Sequence, residues 1–199
     1  IKYLTGSGIL NQSQIDESYD GAPATFVAAG GAKAQQGYSS SEPYNYENTI
    51  EGWKKPVEYQ LIHDVGFPTY KSALAVRADA KDANADCLKE LVPVLQRGEK
   101  SYLDNPDATN ELIVETVSEF NSGWVYDAGN ASYGVDKMRD EKLVANGADG
   151  TLGSFEDARL SRLVDILTPI FAAQNTPVKD GVKNSEFATN EFLDPGVSL

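Results

Sequence analysis

The sequence predicts an α/β fold, in which a short parallel sheet precedes a mainly helical region. Strand-type segments flank one helix-type segment within residues 15–41, and two more strand-type segments follow before residue 77. From residue 86 onward, apolar residues recur at helical spacing. Because a strand–helix–strand unit is normally parallel and right-handed, we expect a sheet with helices packed on it.

The first predicted unit is a strand, a helix and a second strand. Ile15–Tyr19 is short enough for a strand, and Asp20–Pro23 is typical of a helix start because proline is favoured in the first turn. The small residues of Ala24–Ala29 can pack closely on a sheet, and Gly30-Gly31 ends the helix. Tyr38–Ser41 then predicts the second strand.

Two further strands are predicted over Val57–Ile62 and Tyr70–Val76, which carry strand-type residues. Gly66 and Pro68 separate them and favour a turn. These segments connect the first unit to the helical region.

Three helices are predicted in the second half of the chain. Asp86 can cap the first of them, and its apolar residues lie on one face: Leu88, Leu91, Val92 and Leu95. Asn105-Pro106 starts the second, whose expected inner stripe is Leu112, Ile113, Val117 and Phe120. Ser154–Asp157 resembles a capping box, with Asp in place of the usual Glu or Gln, and it precedes the third. Pro169 is expected to kink or end that helix.

Charge and residue usage exclude some classes of partner and site. Thirty acidic and seventeen basic residues give a net charge of −13. Nucleic acid would be repelled, because its binding depends on basic residues that neutralise phosphates. Cys87 is the one cysteine and His63 the one histidine, so an internal disulfide and a Cys/His zinc site are excluded. We predict no metal and no cofactor.

The candidate ligand site lies at the predicted strand ends. Asp20 and Glu42 each follow a predicted strand, and ligands of open parallel sheets bind beyond the carboxyl ends of strands. The helix that starts near Pro23 would add backbone N–H groups and a positive dipole end. Tyrosine side chains could supply flat apolar faces with a polar tip: Tyr19, Tyr38 and Tyr44.

The same residues carry a resemblance to a known family. Asp20–Gly31 and Gln35–Tyr44, the latter Gln-Gln-Gly-Tyr-Ser-Ser-Ser-Glu-Pro-Tyr, resemble the second lobe of ABC-transporter solute-binding proteins for nitrate, sulfonates, taurine and thiamine-pyrimidine precursors. Further matching segments follow downstream: Pro68–Tyr70, Ala73–Arg77, Asp86–Leu88 and Thr189–Phe192. The resemblance covers essentially the whole chain.

The resemblance implies a type II periplasmic-binding-protein fold, here partial, with two lobes and a hinge. Residues 1–55 would belong to the second lobe, residues 56–77 would form the hinge crossing and return strand, and residues 78–199 would form the helical part of the first lobe and the C-terminal tail. The N-terminal remainder of the same protein would complete the fold. Such proteins bind a small-molecule solute outside the cytoplasm, in the periplasm or as cell-surface lipoproteins, and deliver it to an ABC permease in the membrane.

On this interpretation the protein is not an enzyme, and its ligand-binding residues are Asp20, Gly21, Tyr38, Glu42, Tyr44, Tyr19 and Tyr70. Each has an alternative interpretation. Glu42 could be a solvated strand-end carboxylate, Asp20 could cap the helix that follows it, and the tyrosines could pack in a core.

Two alternative functions stay open. An enzyme of the same fold, of the desulfinase or pyrimidine-synthase type, would depend on Cys and His groups, and Cys87 and His63 are the ones available. For Cys87 a buried, inert thiol is the expected environment, and for His63 a surface position is expected. A ligand-sensing module that acts on a signalling partner is the second alternative.

Overall fold

The computed structural model describes residues 1–18, 21–121 and 125–199, and it is helical. Helices take 48% of the chain and strand 1%, and no sheet forms in the described ranges. The predicted α/β class, and with it the partial two-lobed type II binding-protein fold, is therefore wrong. Seven α-helices are described: α1 (Lys2–Gly6), α2 (Ala24–Ala28), α3 (Glu42–Asn48), α4 (Ala85–Asp104), α5 (Asp107–Phe120), α6 (Ala128–Asp140) and α7 (Asp157–Ala173). Short 3₁₀ helices cover Gln12–Gln14, Ala78–Ala80, Asp82–Asn84 and Asn184–Glu186.

The two strands of the predicted first unit are replaced by turns. The Asp16 carboxylate accepts hydrogen bonds from both the backbone N and the Oγ of Ser18, which folds the chain where a strand was expected. Tyr19, the last residue of that predicted strand, lies outside the described residues. The backbone N of Ser41 and of Glu42 both donate to the carbonyl of Tyr38, so the second predicted strand is a turn that leads into α3.

The other two predicted strands form no ladder. Tyr70–Val76 has no regular secondary structure, and Leu74 and Val76 are 56% and 44% exposed. Ser72 has a φ of 55°, which breaks an extended path. A strand is stabilised by backbone bonds to a neighbour, and the one bridge in the described part of the chain joins Asn146 to Leu152. The prediction was wrong because the residues favour strands but the described ranges contain no partner strand.

The predicted helices form where local signals mark their starts. α2 follows Pro23, and Gly30 and Gly31 after it have φ values of 61° and 82°, as expected of a helix end. α4 begins next to Asp86, and α5 follows Pro106. Proline is compatible with the start of a helix because the first N–H groups need no intrahelical partner.

Several details of those helices differ from the prediction. Three of the four residues of the expected inner stripe of α5 are exposed, among them Leu112 at 62% and Phe120 at 79%. Ser154 caps nothing in α7, because its Oγ donates to Asp149 Oδ1 at 2.8 Å. α7 continues through Pro169 to Ala173. α6 was not predicted; its N-cap Asp127 accepts a bond from the backbone N of Asn130 at 2.8 Å.

The chain divides into two compact units, and α4 belongs partly to each. The first unit comprises Ile1–Ile15, Gln60–Arg97 and Asn146–Leu199. Its buried apolar side chains come from α4, the loop before α7, α7 itself and the C-terminal segment: Leu88, Leu152, Leu160, Phe192 and Val197. The predicted domain boundaries at 55 and 77 stay a prediction.

The second unit comprises the described residues of Asp16–Tyr59 and Gly98–Ala145. Its buried apolar side chains are Tyr46, Leu103, Ala131 and Val135. The rings of Phe26, Tyr46 and Trp53 pack together with centroids 4.9 to 6.0 Å apart. In this unit α6 packs against both α3 and α5. No helix in the described ranges is both long and apolar enough to cross a membrane.

Candidate functional site

The predicted ligand-binding residues fall into three groups. Gly21, Tyr38, Glu42 and Tyr44 lie in the second unit, and Tyr70 lies in the first. Tyr19 and Asp20 lie outside the described residues. The prediction that Asp20 and Glu42 line a common crevice is therefore not tested.

Glu42 is the first residue of α3 and not the end of a strand. Its Oε2 accepts a hydrogen bond from the backbone N of Tyr38 at 2.8 Å, so the carboxylate closes the preceding turn. The negative charge also lies at the helix N-terminus, where it is favourable. Tyr38 itself is 63% exposed and donates to Glu42 only through its backbone. Glu42 therefore has a structural role, and the hydrogen bond from Tyr38 uses one of its two carboxylate oxygens.

Tyr70 packs within the first unit. Its ring makes an edge contact with Phe155 at 4.9 Å, and the Arg159 guanidinium lies 3.9 Å from its centroid. Its hydroxyl accepts a hydrogen bond from the backbone N of Glu156 at 2.8 Å. The core-packing alternative accounts for each of these contacts.

Tyr44 lies in a group of polar and aromatic side chains between α3 and α6, which we call the α3–α6 cluster. Its members are Ser41, Tyr44, Asn45, Asp127, Asn130 and Tyr133. Asn130 joins the two helices, since its Nδ2 donates to Asn45 Oδ1 at 2.7 Å and to Ser41 Oγ at 3.3 Å. Asn45 Oδ1 also accepts from Thr49 Oγ1 at 3.2 Å. These bonds hold α3 in a fixed register on α6.

One acceptor of the cluster is buried without a partner in the described part of the chain. Asn130 is 1% exposed, and its Oδ1 accepts no hydrogen bond there. A buried unsatisfied carbonyl costs about 1–3 kcal/mol, so such groups are uncommon and require a reason. Asn130 therefore has a buried acceptor that no residue in the described ranges uses.

Tyr44 contributes an aromatic face and a hydroxyl. Its ring lies over Gly129, where a Cβ would clash with the hydroxyl oxygen and lie 2.7 Å from Cζ, so the close approach requires glycine. Tyr133 packs beside it, with centroids 5.8 Å apart and planes tilted by 43°. Burial raises the pKa of Tyr44, and hydrogen bonding to Asp127 together with its charge raises it further. The phenol therefore stays protonated and acts as a donor.

A Lys137–Glu141 ion pair borders the cluster on the next turns of α6. Lys137 Nζ donates to Glu141 Oε1 at 3.0 Å and to the Tyr59 hydroxyl at 2.7 Å. The same ammonium lies 5.3 Å from the Tyr59 ring centroid and 5.6 Å from that of Tyr133. These two hydrogen bonds are the main cause of a raised pKa for Lys137, so its charge is retained.

A groove between α5 and α6 forms a cavity of about 530 Å³ elsewhere in the second unit. Its charged lining is mostly acidic: Asp107, Glu111, Glu115, Asp136 and Arg139. Arg139 is held at the groove by an ion pair with Asp136 and by the carbonyl of Leu103. In the described ranges no three His, Cys, Asp or Glu side chains are grouped as metal ligands would be.

The sequence interpretation missed the α6 half of the cluster. Asn130, Tyr133, Lys137 and Glu141 recur every three or four residues, which places them along one face of a helix. Asp127 is a typical N-cap residue, and polar and aromatic residues follow it at helical spacing. This pattern could have predicted the helix and the face that carries them. The other predicted residue of the second unit, Gly21, has a φ of 94°, which favours glycine whether or not a ligand binds.

Comparisons of the chain with protein-family models, with curated proteins and with solved structures find no match.

Proposed function

We propose that this chain binds a small polar or aromatic solute, as part of an extracytoplasmic solute-binding protein that delivers the solute to an ABC permease. Two lines of support meet in the segment Ser41–Asn45. This segment belongs to the stretch that resembles the solute-binding family, and it supplies the α3 side of the α3–α6 cluster.

The observation that carries the proposal is the pairing of Tyr44 with Tyr133. Both rings are partly exposed, and their centroids are 5.8 Å apart. Aromatic rings contribute about 0.5–1.5 kcal/mol per pair beyond the area they bury, and they recur in small-molecule sites together with a few polar groups. The polar groups available here are Asp127 and Asn130.

The proposed partners are the solute, the permease and the remainder of the same protein. Binding is proposed to occur without chemical conversion. The Lys137–Glu141 pair supports this, since the ammonium of Lys137 is engaged by two hydrogen bonds and is a poor nucleophile while it stays protonated.

Titration of the full-length protein with thiamine pyrimidines, sulfonates, nitrate and aromatic acids tests the proposal. A solute that binds the folded state raises the melting temperature in proportion to its affinity and concentration. Native mass spectrometry of the protein as purified would identify a retained solute and show that its mass is unchanged. The proposal is wrong if no compound raises the melting temperature and no solute is retained.

Ring-deletion variants locate the site. Tyr44→Leu and Tyr133→Leu are expected to weaken solute binding by roughly twofold to tenfold. Tyr102→Leu is the matched control, because Tyr102 is a partly buried tyrosine of the same unit whose hydroxyl donates to Asn110 at 2.8 Å. An equal loss of affinity in all three variants would place the solute elsewhere.

A further inference from the structure

We propose that the solute of the α3–α6 cluster is a flat molecule that donates N–H hydrogen bonds, such as an amidinium or an amino-substituted heterocycle, and not an anion. This inference rests on the proposed function and concerns the chemical class of the ligand. It follows from which polar atoms of the cluster already have partners and which do not.

The polar atom of the cluster that is buried without a partner is an acceptor. The Asn130 amide is oriented by its Nδ2, which donates to Asn45 Oδ1 and Ser41 Oγ. Its Oδ1 is therefore fixed as an acceptor, and it has no partner in the described ranges. The Asp127 carboxylate lies one turn earlier, accepts from the backbone N of Asn130 and is hydrogen-bonded to Tyr44, and a carboxylate has room for a further donor. A ligand N–H group can satisfy such oxygens, whereas an anion cannot.

The one cation beside the cluster in the described structure is already engaged. Lys137 donates to the Tyr59 hydroxyl and to Glu141. An anion could pair with Lys137 only by breaking its ion pair with Glu141. An anionic solute would also approach the carboxylate of Asp127 in a chain of net charge −13. Like charges repel at this range, and an opposite charge on the solute is attracted.

The aromatic surfaces favour the same class of solute. A delocalised cation is attracted to the face of a tyrosine ring, and Tyr44 and Tyr133 present two such rings. Ala128 and Gly129, in the first turn of α6, are exposed, so solvent reaches the cluster beside Asn130. Because Asn130 Oδ1 itself has less than 1 Å² exposed, a neighbouring side chain has to move before a solute can reach it.

Three ring-matched probes test the inference on the full-length protein: benzamidine, benzamide and benzoate. They share a phenyl ring and differ in whether the planar group is a cationic donor, a neutral donor and acceptor, or an anionic acceptor. We expect benzamidine to raise the melting temperature most, benzamide less and benzoate not at all. Binding of benzoate at least as strong as that of benzamidine would overturn the inference.

Variants connect the probe to the proposed acceptor. Asn130→Leu removes Oδ1 at similar volume and is expected to weaken benzamidine binding about tenfold. Ser132→Ala is the control, since Ser132 is exposed on the same helix. If Asn130→Leu does not fold, the order of the three probes on the unmodified protein still decides the question.

The outcomes separate this inference from the proposed function. If nitrate, a sulfonate or benzoate binds and Tyr44→Leu weakens that binding, the solute-binding function stands and the donor class is wrong. If none of the probes or solutes binds, both are wrong.

Discussion

The side chain of Gln96 joins α4 to the backbone of Asp194, which lies 98 residues further along the chain. Gln96 Oε1 accepts from Asp194 N at 2.8 Å, and Gln96 Nε2 donates to the carbonyl of Leu152 at 2.9 Å. The side chain is buried, with 5% of the residue exposed. One amide therefore satisfies a backbone donor and a backbone acceptor from two other segments of the first unit.

Gln96→Leu should destabilise the protein even though it adds an apolar side chain to a buried position. The substitution leaves the N–H of Asp194 and the carbonyl of Leu152 without this partner, which costs about 1–3 kcal/mol. Urea unfolding followed by circular dichroism measures the loss. Gln174→Leu is the control, because Gln174 is exposed and bonds to Ile170 of its own helix at 3.2 Å. Equal losses in the two variants would contradict the assignment.

The starts of four of the seven described helices (α2, α4, α5 and α7), and the end of α2, could be predicted because the signals are local. Pro23 and Pro106 mark helix starts, and Gly30 marks an end, through conformational preferences that act within one turn. Burial is not local: Leu112 and Phe120 follow a helical stripe but face solvent, because nothing in the described structure packs on them sufficiently to cover them. The helix was predictable and its buried face was not.

The predicted sheet failed for a related reason. Val76 and its neighbours have strand-type side chains, but a strand exists only with a partner, and the partner is set by contacts distant in sequence. At the candidate site, Tyr44 was identified from its motif. Asn130 and Tyr133 were not, because glycine, asparagine and serine make α6 a poor helix by propensity. The Asp127 cap and packing against α3 stabilise it instead.

The single thiol should react readily in the folded protein. Cys87 was expected to be buried, but it is exposed, and the neighbouring Leu88 occupies the buried face of α4 at 8% exposure. Solvent access is one condition for a thiol to react with a disulfide reagent. We expect one equivalent of thiol to react with Ellman's reagent under native conditions, and none in Cys87→Ser. Reaction in denaturant alone would show that Cys87 is covered.

Gly129→Ala should destabilise the second unit. A Cβ at this position would overlap the Tyr44 hydroxyl oxygen and lie 2.7 Å from its Cζ, so the ring must move. Overpacking costs about 1–3 kcal/mol, which exceeds the gain of about 1 kcal/mol from alanine in a helix. Thermal unfolding of the variant measures the net loss. Adding Tyr44→Ala should remove most of the penalty, and strictly additive effects would contradict the contact.

Gly98→Ala, which is also a glycine-to-alanine change in a helix, should raise the free energy of unfolding and not lower it. Gly98 lies inside α4, and a Cβ there meets nothing within 4 Å. Alanine should then stabilise the protein by about 0.5–1 kcal/mol, because it restricts the unfolded chain and favours the helix. The pair of glycine variants thus separates steric contact from helix propensity, since the two predicted signs differ.

The contribution of Glu141 to stability should depend on pH. Burial of its side chain, which is 15% exposed, raises the pKa of Glu141, but hydrogen bonds from Ser39, Tyr59 and Lys137 outweigh this and lower it. Because the pKa of Glu141 is lower in the folded state, the carboxylate stabilises the fold at pH values above the ordinary pKa of about 4.3. This stability is lost as the pH falls through the folded-state pKa.

Glu141→Gln should therefore cost about 1–2 kcal/mol at neutral pH and progressively less below about pH 4. Urea unfolding across that range measures the difference, with Glu115→Gln as control because Glu115 is an exposed residue of α5. A loss in Glu141→Gln that is the same at every pH would show that the carboxylate acts by packing and not by charge.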